Sequence, residues 1–85
     1  MAYQVLLSPR ARRDLEKLPH VVAERVARAI DGLATNPRPA GAKKMQGDEN
    51  LWRIRLGAYR VVYEIHDGRL IVLIVRVADR KDVCR

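Results

Sequence analysis

Apolar residues recur at helical spacing in the first half of the chain and at alternate positions in the last third. A short strand is predicted over residues 3–7, followed by Ser8 as a helix N-cap and Pro9 as the first helical residue. The first helix ends before Pro19, and a second runs over residues 21–35. Because the connection is short, the helices should pack as a hairpin. Their inner positions are Ala11, Leu15 and Leu18 in the first helix and Val22, Val26, Ala29, Ile30 and Leu33 in the second.

Residues 51–66 predict a β-hairpin. Gly57 and Ala58 form its two-residue loop, with glycine at the first central position as a type II′ turn prefers. Leu56 then pairs with Tyr59, and side chains alternate between the two faces from there. Counting gives Ile54 opposite Val61 and Trp52 opposite Tyr63 on one face, and Arg55 opposite Arg60 and Arg53 opposite Val62 on the other.

A second tight turn is predicted at Asp67 and Gly68, of type I′. It produces three antiparallel strands over residues 51–56, 59–66 and 69–78. The predicted pairs are Ile65 with Leu70, Tyr63 with Val72, Val61 with Ile74 and Arg60 with Val75. The face toward the helices should carry Trp52, Ile54, Leu56, Val61, Tyr63, Ile65, Leu70, Val72 and Ile74, and the opposite face Arg53, Arg55, Arg60, Val62, Leu73, Val75 and Val77.

The element order predicts an α+β fold, in which an N-terminal strand, a two-helix hairpin and a three-stranded antiparallel meander form one twisted antiparallel sheet with both helices on one face. Residues 36–50 are rich in proline, glycine and charge and are interpreted as a loop. The 85 residues are expected to form a single domain, 1–85.

The arginines on one face of the hairpin are the most informative chemical feature. Like charges directly across an antiparallel pair destabilise it, so Arg55 opposite Arg60 needs an explanation. One explanation is that both guanidinium groups extend into water, where their repulsion is screened. The other is that this face binds a polyanion. Apolar residues among the arginines also indicate an interaction surface.

Composition narrows the classes of partner. The chain carries 17 Lys and Arg against 10 Asp and Glu, a net charge of +7, which favours a nucleic acid or an acidic protein. With one cysteine and two histidines, neither a disulfide nor a metal site is expected, and no cofactor is predicted. No apolar stretch approaches the roughly 20 residues of a membrane span, so a cytoplasmic protein is expected. With a single Trp and no Phe, a stacking platform for single-stranded bases is disfavoured.

Several segments together resemble the RelE/ParE superfamily of small bacterial toxins. They are the N-terminal strand followed by SPRARRDLEKLP, the helix end near NPRP, the strand pair LWRIRLGAYRVVYEI, the DG turn and the closing VRVADRKDVCR. The resemblance covers nearly the whole chain and implies a twisted antiparallel sheet with a two-helix hairpin on one side. It further implies the toxin of a type II toxin–antitoxin system, neutralised by a cognate antitoxin in a hetero-oligomer.

If the chain is a RelE-like member, the resemblance implies a metal-independent mRNA interferase that cuts messenger RNA on the ribosome and so inhibits translation. The ribose 2′-hydroxyl attacks the adjacent phosphate and leaves a 2′,3′-cyclic phosphate. By the resemblance, Arg60 is the principal cation at the transition state, and Arg80 is a phosphate clamp or a stabiliser of the leaving group. Arg55 and Arg53 correspond to the family's two basic residues before the turn, Arg55 as a catalytic candidate and Arg53 as an RNA contact. Further candidates for RNA contacts are Lys43, Lys44, Lys81 and Arg85, with solvated loop lysines as the alternative for the first two.

The chain departs from the RelE pattern near its end. Ala78 and Asp79 stand where many relatives have Gly and His, and Cys84 stands where active toxins typically have a tyrosine that stacks on the substrate base. A thiol cannot stack, but Cys84 could serve as a base if Arg80 and Lys81 lowered its pKa; the alternative is a small residue without catalytic duty. His66 is interpreted as an exposed residue at a strand end.

Two other functions stay open. A ParE-like inhibitor of DNA gyrase needs no nuclease residues and would tolerate Cys84. A catalytically weakened toxin would act mainly through antitoxin binding and regulation of its operon.

Overall fold

In the computed structural model, residues 2–47 and 50–79 are described, and within them two helices pack on one face of a five-stranded sheet. The elements are β1 (Gln4–Leu7), α1 (Pro9–Glu16), α2 (His20–Gly32), β2 (Lys43–Lys44), β3 (Leu51–Leu56), β4 (Tyr59–His66), a 3₁₀ turn (Asp67–Arg69) and β5 (Ile71–Asp79). The strand order is β1-β5-β4-β3-β2. The predicted α+β class is confirmed, with helices on one side of one sheet.

The helix hairpin begins as the sequence predicts. The Ser8 side chain accepts a hydrogen bond from the Ala11 N–H at 3.0 Å, and Pro9 opens α1. Helix α2 ends at Gly32 rather than at residue 35. After Gly32 the backbone makes turn hydrogen bonds between residues three apart, such as the one that the Ala34 N–H donates to the Asp31 carbonyl at 3.1 Å. Helix propensities in the sequence alone do not reveal this change from helix to turn.

The β3–β4 hairpin has the predicted register at every pair, including Trp52 with Tyr63 and Arg55 with Arg60. Gly57 has φ +61°, a left-handed value that glycine adopts without the penalty a Cβ imposes. The prediction of a two-residue turn at Gly57 and Ala58 therefore gave the correct register.

The predicted pairing of β4 with β5 is wrong. The type I′ turn does not form; instead a 3₁₀ turn is followed by Leu70 at φ 54°, so that His66 pairs with Ile71 and Ile65 with Val72. Leu70 therefore lies in the turn and not opposite Ile65. Farther along, the observed partners are Ile74 for Tyr63, Val77 for Val61 and Ala78 for Arg60.

A β-bulge separates the two parts of this pairing. Val62 pairs with Arg76 while Tyr63 pairs with Ile74, so Val75 is an extra residue in β5. The bulge turns Val77 inward, where it is 2% exposed, instead of onto the opposite face as predicted. Burial of a valine side chain contributes about 1.5–3 kcal/mol, which favours this register.

Two further strand pairings differ from the prediction. Strand β1 runs parallel to β5, with Val5 opposite Val72, so the sheet is mixed and not wholly antiparallel. Lys43 and Lys44, interpreted as loop residues, form the short edge strand β2 against β3. Two lysines suit an edge because their charge discourages another chain from pairing there.

The core lies between the helices and the sheet. Its buried members are Ala11, Val26, Ile30, Leu33, Ile54, Val61, Tyr63, Ile65, Val72, Ile74 and Val77. In the part of the chain that the structure describes, no helix lies on the opposite face of the sheet, termed here the open face.

Candidate nucleic-acid interface

Among residues 2–47 and 50–79, five cationic side chains belong to the open face. Directly paired residues in a sheet share a face, so the pairs Lys43 with Arg53, Arg53 with Val62, and Val62 with Arg76 place three cations in one row. The neighbouring row contains Arg55 and Arg60. We call these residues the basic patch: Lys43, Arg53, Arg55, Arg60 and Arg76.

The basic patch is built around an apolar centre. Val62 is only 6% exposed, Arg53 and Arg60 are half-buried, and Arg55 is exposed. Partial burial is typical of arginines whose aliphatic stems lie along apolar surface, and the Nε of Arg60 is itself buried. The patch therefore presents several guanidinium groups, whose rigid donor forks match phosphate oxygens.

The other predicted site residues fall into two groups. Lys44 pairs with Trp52, so it belongs to the helix-side face and not to the basic patch, although it is exposed at the sheet edge. Arg80, Lys81, Cys84 and Arg85 lie outside the described residues. The roles given to all of these residues stay predictions.

Arg76 is a member of the patch that was not predicted from the sequence. Its place on the open face depends on the bulge at Val75, which the predicted register lacked. One signal was available: continuing the alternation from Val72 and Ile74 would put Arg76 in the core, and a charged residue there argues for a bulge.

The far end of the open face has a different character. His66 Nε2 lies 2.8 Å from Glu64 Oε1, and both side chains are about one-third exposed. His66 does end β4 as predicted, but it is half-buried and paired instead of exposed. Next to them are Leu6, 40% exposed, and the half-buried Leu73. The open face therefore runs from a cationic end to an apolar end with one acid–imidazole pair.

A polar clasp holds the segment between α2 and β2. Arg38 donates to both Asp67 carboxylate oxygens, at 3.2 and 2.8 Å, and Tyr3 donates to Oδ1 at 2.6 Å. These hydrogen bonds lower the pKa of Asp67 to about 2. The Arg38 guanidinium also lies 5.1 Å from the centre of the Trp52 ring. The clasp fixes the chain that leads into β2 and Lys43.

A buried hydrogen bond anchors the same segment. The Tyr63 hydroxyl donates to the Pro37 carbonyl at 2.7 Å, and both residues are buried. Burial raises the pKa of Tyr63 to about 12, an effect that the positive charge of Arg38 partly opposes.

Within residues 2–47 and 50–79, no group of three or more His, Cys, Asp or Glu side chains is arranged to hold a metal ion. Neither helix in this part of the chain is long and apolar enough to cross a membrane.

Comparison with known proteins identifies the family. A family model described as the ParE toxin of the type II toxin–antitoxin system parDE matches residues 5–83. The chain belongs to this toxin family. Among its relatives is Toxin RelG of Mycobacterium tuberculosis, 36% identical over 86 residues that span 100% of this chain and 99% of the relative. The mRNA interferase toxin RelE of Escherichia coli is 29% identical over 83 residues, 95% of this chain and 86% of the relative.

Solved structures agree with the fold. A chain in the crystal structure of the toxin–antitoxin complex RelBE2 from Mycobacterium tuberculosis superposes with a TM-score of 0.83 at 32% identity, covering 94% of this toxin and 100% of that chain. The resemblance inferred from the sequence is confirmed: the protein is a RelE-like toxin of a toxin–antitoxin system.

Proposed function

We propose that this toxin is a ribosome-dependent, metal-independent mRNA endonuclease that inhibits translation in the cytoplasm. The observation that carries the proposal is the basic patch on a sheet face left open by the helices. The mRNA interferase activity named for the Escherichia coli relative supports it. The chain supplies cations for phosphate, and the ribosome presents the message.

The reaction is an in-line displacement at phosphorus. The 2′-oxygen forms a bond to phosphorus as its proton is removed, and the bond from phosphorus to the 5′-oxygen breaks, which leaves a 2′,3′-cyclic phosphate and a 5′-hydroxyl. Negative charge accumulates on the phosphoryl oxygens in the transition state. Arg60 stabilises this charge, with Arg55 directly across from it. Arg53 contacts the neighbouring part of the RNA backbone, and Arg80 is the predicted phosphate clamp.

The same reaction needs a base for the 2′-hydroxyl and an acid for the 5′-oxygen. Arginines stay protonated at working pH and do not serve as the base. No described residue receives this role, and Cys84 stays the candidate predicted from the sequence. A weak or absent base makes cleavage slow without weakening RNA binding.

The proposed protein partner is a cognate antitoxin that binds the toxin in a hetero-oligomer, as RelB does in the complex solved for Escherichia coli RelE. The open face offers an antitoxin two kinds of contact. Acidic side chains complement Arg55 and Arg60, and apolar side chains cover Leu6 and Leu73. An amphipathic acidic segment satisfies both requirements.

Cleavage is tested by adding the purified toxin to translating ribosomes and mapping the new 5′ ends of the message. Arg60→Gln should lower the cleavage rate about 10²–10³-fold, the usual effect of removing one transition-state donor. Arg28→Gln is the matched control, because Arg28 is exposed on α2 and lies away from the open face. Intact message at an excess of wild-type toxin refutes the proposal.

Inhibition of DNA gyrase is the second candidate function, favoured by the match to a ParE family model. It predicts loss of gyrase supercoiling at toxin excess while message stays intact. Normal supercoiling at that concentration excludes this candidate.

A catalytically weakened toxin is the third candidate, favoured by Cys84 in place of the usual tyrosine. It predicts that Cys84→Tyr increases message cleavage and that the wild-type protein is harmless when expressed without antitoxin. Growth arrest by the wild-type protein that Arg60→Gln abolishes argues for an intact catalytic site instead.

A further inference from the structure

One edge of β5 is completed by α1 and not by a strand. Strand β1 pairs only as far as Ile74, whereas β5 continues to Asp79. The Ser8 hydroxyl donates to the Val75 carbonyl at 2.8 Å, and the Val77 N–H donates to Asp14 Oδ2 at 2.9 Å. Two side chains of the α1 region thus bind backbone groups that a neighbouring strand would otherwise pair.

Asp14 also faces two arginines. Its Oδ1 lies 3.4 Å from Arg10 Nε, and its Oδ2 lies 3.7 Å from Arg76 Nε. The Asp14 side chain is only 11% exposed, and that of Arg76 is 32% exposed. Asp14 therefore fixes both the backbone of β5 at Val77 and the direction of the Arg76 side chain.

The Arg76 guanidinium retains its hydrogen-bonding capacity. It makes no hydrogen bond to any residue in the described part of the chain, and its Nε is buried. A comparison within the molecule shows the difference: Arg38 forms two hydrogen bonds with Asp67, at 3.2 and 2.8 Å. A guanidinium carries five donors, and a purely structural arginine uses them in this bidentate way. Arg76 is oriented by a carboxylate but not satisfied by it.

A surface cleft of about 320 Å³ opens beside Arg76. Its polar lining consists of Arg10, Asp14, Lys17, Tyr59, Arg76 and Asp79. The volume is in the range of small-ligand sites, roughly 300–1,000 Å³. Lys17, the C-terminal cap of α1, contributes an exposed cation at the rim. Cations here outnumber carboxylates, so the cleft suits an anion.

We propose that Arg76, with Lys17 at the rim of the cleft, binds a backbone phosphate of the RNA strand beside the phosphate at Arg60, and that Asp14 is its positioning residue. The proposal rests on the proposed RNA-cleaving function. Ala78 pairs with Arg60, and Arg76 lies two positions before Ala78 in the same strand. The two arginines are therefore diagonal neighbours, whose Cα atoms are about 7–8 Å apart. They can contact successive phosphates of one strand.

The experiment measures binding of a 2′-O-methyl RNA oligonucleotide, which has no free 2′-hydroxyl nucleophile, by fluorescence anisotropy over a salt series. Arg76→Gln should weaken binding about tenfold and reduce the slope of log affinity against log salt by about 0.7, the value for one lost phosphate contact on a single strand. Arg76→Lys should restore the slope because it keeps the charge. Lys17→Gln should lower the slope as well, whereas the control Arg28→Gln should leave it unchanged.

The positioning role of Asp14 is tested by a double-mutant cycle on the cleavage rate. Asparagine keeps a side-chain oxygen that can accept from the Val77 N–H, so Asp14→Asn removes mainly the charge that faces Arg76. It should slow cleavage in the wild-type background but add little to Arg76→Gln. Equal, additive losses in both backgrounds would reduce Asp14 to a general structural contact and overturn its assignment.

The outcomes separate this proposal from the function on which it rests. Wild-type toxin that neither binds nor cleaves RNA contradicts the proposed function itself. If the wild type does bind and cleave, Arg76→Gln with the same slope as Arg28→Gln overturns only the role of Arg76. Should Arg76→Gln fail to fold, Lys17→Gln decides: a slope equal to that of Arg28→Gln overturns the phosphate site.

Discussion

Replacing Tyr63 by phenylalanine tests how the segment before β2 is held. Tyr63 is 0% exposed, and its hydroxyl donates to the Pro37 carbonyl at 2.7 Å. Phenylalanine keeps the ring in the core but leaves this buried acceptor without its donor. The perturbation therefore isolates one hydrogen bond.

The expected cost follows from burial at both ends of the bond. A buried polar group that loses its partner costs about 1–3 kcal/mol, and removal of the hydroxyl offsets part of this because it needs no partner itself. We expect the free energy of unfolding to fall by about 1–2 kcal/mol. For a domain of this size that lowers Tm by roughly 4–16 °C. RNA binding should persist, since Tyr63 faces the helices and not the basic patch.

The loss should also depend on pH. Burial raises the pKa of Tyr63 to about 12, above the ordinary value of 10.0, so the folded protein holds this proton more tightly than the unfolded chain does. The resulting stabilisation is fully present below pH 10 and is lost as pH rises through 12. The stability difference between wild type and Tyr63→Phe should therefore shrink over this range.

Urea unfolding of both proteins from pH 7 to pH 12 measures the difference. Tyr59→Phe is the control, because the Tyr59 hydroxyl makes no hydrogen bond within the described residues and Tyr59 is half-buried at a strand end. A Tyr63→Phe effect below about 0.5 kcal/mol at pH 7, or one that stays constant up to pH 12, refutes the reasoning.

Two further substitutions test the basic patch and the clasp. Arg55→Gln removes a charge directly across from Arg60, so it should raise the free energy of unfolding by some tenths of a kcal/mol while it slows message cleavage; unchanged cleavage contradicts the role of Arg55. Asp67→Asn removes a carboxylate whose pKa is lowered from 3.8 to about 2 by hydrogen bonds from Arg38 and Tyr3. These bonds stabilise the folded protein above pH 3.8, and the stabilisation is lost as the pH falls through 2. The acid unfolding of Asp67→Asn, followed by circular dichroism, should be less steep between pH 4 and 2 than that of the wild type, and identical curves would contradict the clasp.

The sequence predicted those parts of the fold that depend on local chemistry. Ser8 and Pro9 marked the start of α1, and the glycine at position 57 fixed the β3–β4 register. It did not reveal the parallel pairing of β1, because Val5 and Val72 are far apart in the chain and no turn connects their strands. The edge strand at Lys43 was missed for a related reason, since two lysines carry little apolar pattern.

The candidate site was predicted only in part. A residue was placed on the correct face only where the pairing register of its strand had been predicted correctly. Arg53, Arg55 and Arg60 lie on the hairpin whose turn was interpreted correctly, and they share the open face. The pairing of β5 failed because its turn has four residues instead of two. Leu70 takes the left-handed conformation that a glycine was expected to supply. A leucine there gives the sequence no turn signal.

The bulge at Val75 determines which charges the open face presents. Without it, the register near Ile74 would continue and place Arg76 opposite Val61 in the core. Burying an unpaired guanidinium among apolar side chains costs several kcal/mol, whereas one extra residue in the strand moves Arg76 out and Val77 in. The same physical requirement that completes the core therefore adds the fifth cation to the basic patch. A substitution that straightened β5 would damage stability and RNA binding together, while Arg76→Lys should spare both.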